Sequence, residues 1–110
     1  MRVISERDWK IFRELHTVAL ERLCERILVE ARTEIERADK SPHQKFLSLF
    51  KLIRERNADL AKAFNDFRRS TALGQIGIIH SMGLLKADEL HRFSPETLQI
   101  AEMYAPIPEA

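Results

Sequence analysis

Few residues in this chain have the types needed for chemistry: His16, His43, His80 and His91, the single Cys24, and a ladder of glutamates at Glu21, Glu25, Glu30 and Glu34. Zinc sites need three or four ligands, typically introduced by C-x-x-C or H-x-x-x-H spacing. Neither arrangement occurs. Asp88 and His91 fall three apart on a short helical segment, but two ligands do not close a tetrahedral site. The glutamates alternate with Arg22, Arg26, Arg32 and Arg37, the pattern of a solvated ion-pair face rather than of an acid-base centre. No E-x-x-H repeat of the di-metal bundles is present. Cys24 sits among Leu20, Leu23, Ile27 and Leu28, a setting suited to an inert, packed thiol. His80 reads as a buried, satisfied side chain. The glycines Gly74, Gly77 and Gly83 mimic a phosphate loop in spacing only, because they lie in a helical stretch. The expectation is therefore no enzyme, no cofactor and no metal.

The elements that carry these residues are all helical. Ser5 caps a first helix, Asp8 follows three residues on, and Ile4 before the cap can staple onto Trp9. No Gly or Pro interrupts the chain from there to about Arg37, while Phe12, Leu15, Ala19, Leu23, Ile27, Ala31 and Ile35 recur at helical spacing. That length gives a rod of roughly 50 Å, against a diameter of about 35 Å for a compact domain of this size. Ser41, Pro42 and Gln44 open a second helix with a complete capping box. Its stripe of Phe46, Leu49, Phe50, Ile53, Leu60, Ala61, Phe64 and Phe67 is interrupted between Glu55 and Ala58, where Asn57 predicts a kink. Gly83 followed by Leu84 reads as a left-handed cap on a third helix. Short helices follow from about Lys86 to Arg92 and from Ser94-Pro95. The predicted fold is all-α: a long antiparallel helical hairpin, a buried Gly-containing helix received in its groove, and two short C-terminal helices. Residues 1–104 form one helical domain, and 105–110 form a flexible tail.

The third helix carries two interior glycines, each costing up to about 1 kcal/mol relative to Ala. Ser70, Gly74, Gly77 and Ser81 lie at four-, three- and four-residue spacing, so they form one narrow face for close packing by another backbone. A ligand slot oriented by Gln75 or His80 is the alternative.

Charge is nearly balanced, with 18 Lys and Arg against 17 Asp and Glu in 110 residues, which disfavours a strongly basic nucleic-acid binder. The excess is local. Residues 40–69 hold eight bases and three acids, a net of +5, and this segment carries the alternative reading: nucleic-acid binding by Lys51, Arg54, Arg68 and Arg69. No apolar run approaches the roughly 20 residues of a membrane span. One cysteine and no leader pattern point to the cytoplasm. The leading expectation is a non-enzymatic helical module that self-associates as a homodimer and binds another protein as adaptor, regulator or inhibitor. Trp9, Phe12, Val18, Leu20 and Val29 are the expected contact residues, since together they exceed one helix stripe.

Overall fold

A computed structural model describes residues 3–104, so the tail expected at 105–110 lies outside the described residues. The described residues form five helices: α1 (Glu6–Ile35), α2 (Pro42–Phe64), α3 (Ala72–Ser81), α4 (Ala87–Leu90) and α5 (Pro95–Glu102). Helices α1 and α2 make the long antiparallel pair, and α4 and α5 are the two short C-terminal helices.

The local signals act as expected. Ser5 Oγ accepts from the Asp8 N–H at 3.1 Å. Ser41 and Gln44 exchange side-chain and backbone hydrogen bonds at 3.2 and 2.9 Å. Gly83 stands at φ 70°, and the Leu84 N–H reaches back to the Ile79 carbonyl at 3.3 Å. This closes α3 with the six-to-one bond of a left-handed cap, which a Cβ would strain. Leu84 is then buried against the core.

Three expectations are corrected. The helix break expected at Glu55–Ala58, with Asn57 as a new cap, does not occur, because α2 is one continuous helix from Pro42 to Phe64. No Pro or Gly removes a backbone bond there, and Arg56 fastens the middle of the helix to Glu30 of α1 at 3.1 Å. The Gly-containing helix is buried as expected and meets both long helices, but it is too short to run the length of the hairpin groove. Its most extensive contact is with α5, with smaller contacts to α1 and α2. The close-packing face also has a different occupant. Ser70 precedes α3, and a Cβ on Gly77 would overlap the ring of Tyr104, the residue two beyond α5, while one on Gly74 would meet Tyr104 Oη at 3.7 Å. An aromatic ring, not a backbone, uses the missing side chains. The ligand-slot alternative loses its space to that ring, and Gln75 spends its amide on the Asn65 and Asp66 carbonyls at the end of α2.

Lengths decide where the core sits. At 1.5 Å per residue α1 spans about 45 Å, whereas α3 and α5 span only about 15 and 12 Å. The molecule measures 52 × 24 × 21 Å, so the shorter helices cover only one end of the hairpin, here termed the base. Ile4, Phe12, Leu15, Ala19, Leu23, Ala63, Phe64, Ile76, Ile79 and Leu84 are buried together there.

Charged side chains of α1 fasten this cover. The Asp8 carboxylate, fully buried, accepts from the Ser94 N–H at 3.1 Å, the Ser94 hydroxyl at 2.6 Å and the Thr97 hydroxyl at 2.6 Å. It therefore caps α5 from 86 residues away in sequence, satisfying donors at a positive helix terminus. Burial pushes the Asp8 carboxyl upward, but the Ser94 and Thr97 donors and the Arg7 charge outweigh it and leave it below its usual value. Arg22 grips Glu89 with two bonds at 2.6 and 2.9 Å and also reaches the Leu84 carbonyl at 2.8 Å. The Arg22 hydrogen bond, foremost, holds Glu89 at about 2. Arg26 caps α3 through the Met82 and Gly83 carbonyls at 2.6 and 2.8 Å.

Candidate functional site

Beyond that base the hairpin continues as an arm of two helices with a markedly apolar surface. On α1, Glu21, Glu25, Leu28, Arg32 and Ile35 follow at alternating four- and three-residue steps, and all are exposed. On α2, Phe46, Phe50, Ile53 and Asn57 do the same. Such spacing places each set on one side of its helix. A groove of about 240 Å³ lined by Cys24, Ile27, Leu28, Ile53, Arg56, Asn57 and Leu60 joins the two stripes, so they share one face. Leu28 is 66% exposed, Phe46 62%, Phe50 59%, Ile35 54% and Ile53 44%. In α2 only Ala63 and Phe64 are buried.

At the base an aromatic cluster joins the first helix to the end of the second. His16 stacks on Phe67 at 3.8 Å and meets Phe12 and Phe64 edge-on at 5.6 and 5.2 Å. Trp9 lies 5.0 Å from Phe67. Burial lowers the His16 pKa, opposed by the Phe64 carbonyl 3.2 Å from Nε2.

Of the contact residues expected from sequence, Phe12 is corrected outright: at 1% exposure it belongs to the core. Trp9 and Leu20 are partly buried against that core. Val18 and Val29 are exposed, but successive helical residues turn by 100°, and both point round α1 away from Leu28. The exposed apolar face consists instead of Leu28, Ile35, Phe46, Phe50 and Ile53. Four of these, Ile35, Phe46, Phe50 and Ile53, had read as parts of the hairpin's apolar stripes, and the missing signal was one of quantity: among the described residues no further element is long enough to cover them.

The basic residues are not brought together. Arg68 is paired with Asp66 at 2.6 Å, and Arg69 with Glu6 at 3.1 Å and the Ile4 carbonyl at 3.2 Å, all in or beside the base. Lys51 and Arg54 lie about 20 Å of helix away, Lys51 at 4.0 Å from Glu55 and Arg54 5.9 Å from the Phe50 ring. Acids outside the segment, Glu6, Glu30 and Glu34, pair with Arg69, Arg56 and Lys40 and offset three of its five excess charges.

Candidate ligating groups stay dispersed. Among the described residues no three His, Cys, Asp or Glu side chains gather in a metal-binding group. His91 Nδ1 is 2.6 Å from the Ala87 carbonyl of its own helix. Cys24 is a free thiol in the groove wall. No helix among the described residues is long and apolar enough to cross a membrane. No protein-family model matches the chain, and neither the curated proteins nor the solved structures contain a significant match to it.

Proposed function

We propose that this protein is a non-enzymatic helical interaction module, acting in the cytoplasm as an adaptor, regulator or inhibitor, whose binding surface is the apolar face of the distal hairpin. One observation carries the reading: five large apolar side chains, each at least 44% exposed, recur at helical spacing on two helices whose stripes meet in the groove between Leu28 and Ile53. From their fractional exposure and the size of such side chains, they present roughly 600 Å². That reaches the upper end of the largest apolar patch on an ordinary monomer, the size at which such patches mark interaction sites. The ordered base gives the arm a rigid root, which limits the entropy lost on binding.

The test compares the wild-type chain with a Phe46→Asp, Phe50→Asp double variant as baits in cell extract, after circular dichroism has shown equal helix content. The reading predicts partner proteins held by the wild type and released from the variant. Equal retention by both contradicts it. Capture of nucleic acid that fades with added salt and with loss of Lys51 and Arg54 would transfer the function to the basic-segment alternative.

A further inference from the structure

Resting on that reading, we infer that the occupant of the arm is a second copy of this chain, turned end for end so that the two hairpins close an antiparallel four-helix bundle.

The first argument is area. A standard interface buries about 800 Å² per partner, of which 56–65% is apolar. The roughly 600 Å² estimated from side-chain size and exposure matches that apolar share with nothing added. The two stripes also have the heptad-like alternation of steps that lets paired helices interlock.

The second argument is charge, and it selects both the partner and its direction. Along α1 the stripe reads Glu21, Glu25, Leu28, Arg32, Ile35, with the acids toward the base and the base toward the tip. Among the described residues none of these three charged side chains enters an ion pair, whereas neighbouring Glu30 and Glu34 do. Laid antiparallel on its own copy with Leu28 at the two-fold axis, the stripe sets Glu25 opposite Arg32 of the second copy, and the symmetry makes that pair twice. The α2 stripe has its midpoint between Phe50 and Ile53, and Ile53 shares the groove with Leu28. One axis therefore serves both helices. A same-direction dimer with its axis along the helices would instead set the α1 stripe against the uncharged Phe46, Phe50, Ile53 and Asn57, leaving Glu25 and Arg32 without an opposite charge there. Net charge of +1 opposes self-association little, and the mixed signs along the stripe suit this chain better than an anionic bilayer or a polyanion.

Sedimentation equilibrium tests the arrangement through a charge exchange. From about 1 μM to about 100 μM, a range spanning firm to weak association, the wild type should pass from 12.8 kDa toward twice that mass. Glu25→Arg and Arg32→Glu should each weaken the dimer about tenfold or more by opposing like charges. The double exchange should restore it, which an unrelated or non-specific interface would not do. Phe50→Asp should leave a monomer with unchanged circular dichroism. A wild-type mass of one chain at every concentration overturns the inference, as does a double exchange no better than the singles. In the monomeric case, partners still lost on Phe46→Asp, Phe50→Asp substitution would leave the interaction module standing with a different occupant. Attachment of the monomer to vesicles of anionic lipid through Phe46 and Phe50 would likewise overturn self-association.

Discussion

The base and the arm are built from the same two helices, yet they solve the problem of apolar surface in opposite ways. At the base, α3 and α5 bury Phe12, Leu15, Ala19 and Phe64, and the Asp8 and Arg22 side chains lock the cover down. In the arm, chemically similar Leu28, Phe46 and Phe50 face outward. The difference lies in available cover, because about 45 Å of hairpin cannot be roofed by helices of about 15 and 12 Å. An amphipathic stripe thus says which side of a helix seeks burial, and only the lengths of the other elements say whether its own chain supplies it.

Paired substitutions break this contrast most severely. Phe12→Ala should cost about 4 kcal/mol of unfolding free energy, as for a fully packed aromatic residue, whereas Phe50→Ala in dilute solution should stay within about 0.5 kcal/mol. Urea titration of both at low concentration measures it; equal losses would mean that the arm is part of the core. Next in size is Asp8→Ala, which strands the donors of Ser94 and Thr97 and should cost about 3 kcal/mol.

Acid should reveal the same lock. Asp8 is depressed and Glu89 is held at about 2, both below the usual unfolded values of about 3.9 and 4.3. The folded state thus binds these protons less readily than the unfolded state. Both contributions are present above the unfolded values; that of Glu89 drains away as pH falls toward 2, and that of Asp8 as pH falls below its ordinary carboxylate range. Thermal midpoints of wild type and Asp8→Asn should converge across that window.

A smaller effect belongs to the α3–α5 contact. Gly77→Ala should lose about 1–2 kcal/mol by driving the Tyr104 ring from its seat. In a Tyr104→Ala background the same change should be neutral or gain up to about 1 kcal/mol, since Ala is the better helix former; a double-mutant cycle without coupling would remove the ring from the account. Smallest is Glu30→Gln on the arm, where the partly exposed pair with Arg56 should give less than about 1 kcal/mol, diminishing further with salt.

Local punctuation made the helices legible in sequence: Ser5, the Ser41–Gln44 box, Pro95 and Gly83 each act within a few residues of themselves, whereas the Ser94 hydroxyl makes no cap bond to its own helix and turns to Asp8 instead. The links that orient the base were hidden because they act over long separations. Asp8 looked like a first-turn acid, and only folding brings it to Ser94 and Thr97. Arg22 and Arg26 looked like rungs of a solvated ladder, yet they hold Glu89 and the end of α3. The excess length of α1 was readable and pointed to unpartnered surface. Its location was not, because Phe12 and Phe50 carry the same local pattern and differ only in what packs over them.

Amide hydrogen exchange followed by mass spectrometry, at about 1 μM and about 100 μM, tests base and arm together on the scale of local opening. The account predicts that residues 24–35 and 46–57 exchange quickly when dilute and gain protection when concentrated, while α3, α5 and the N-terminal half of α1 stay equally protected at both. Arm protection that matches the base and ignores concentration would contradict it.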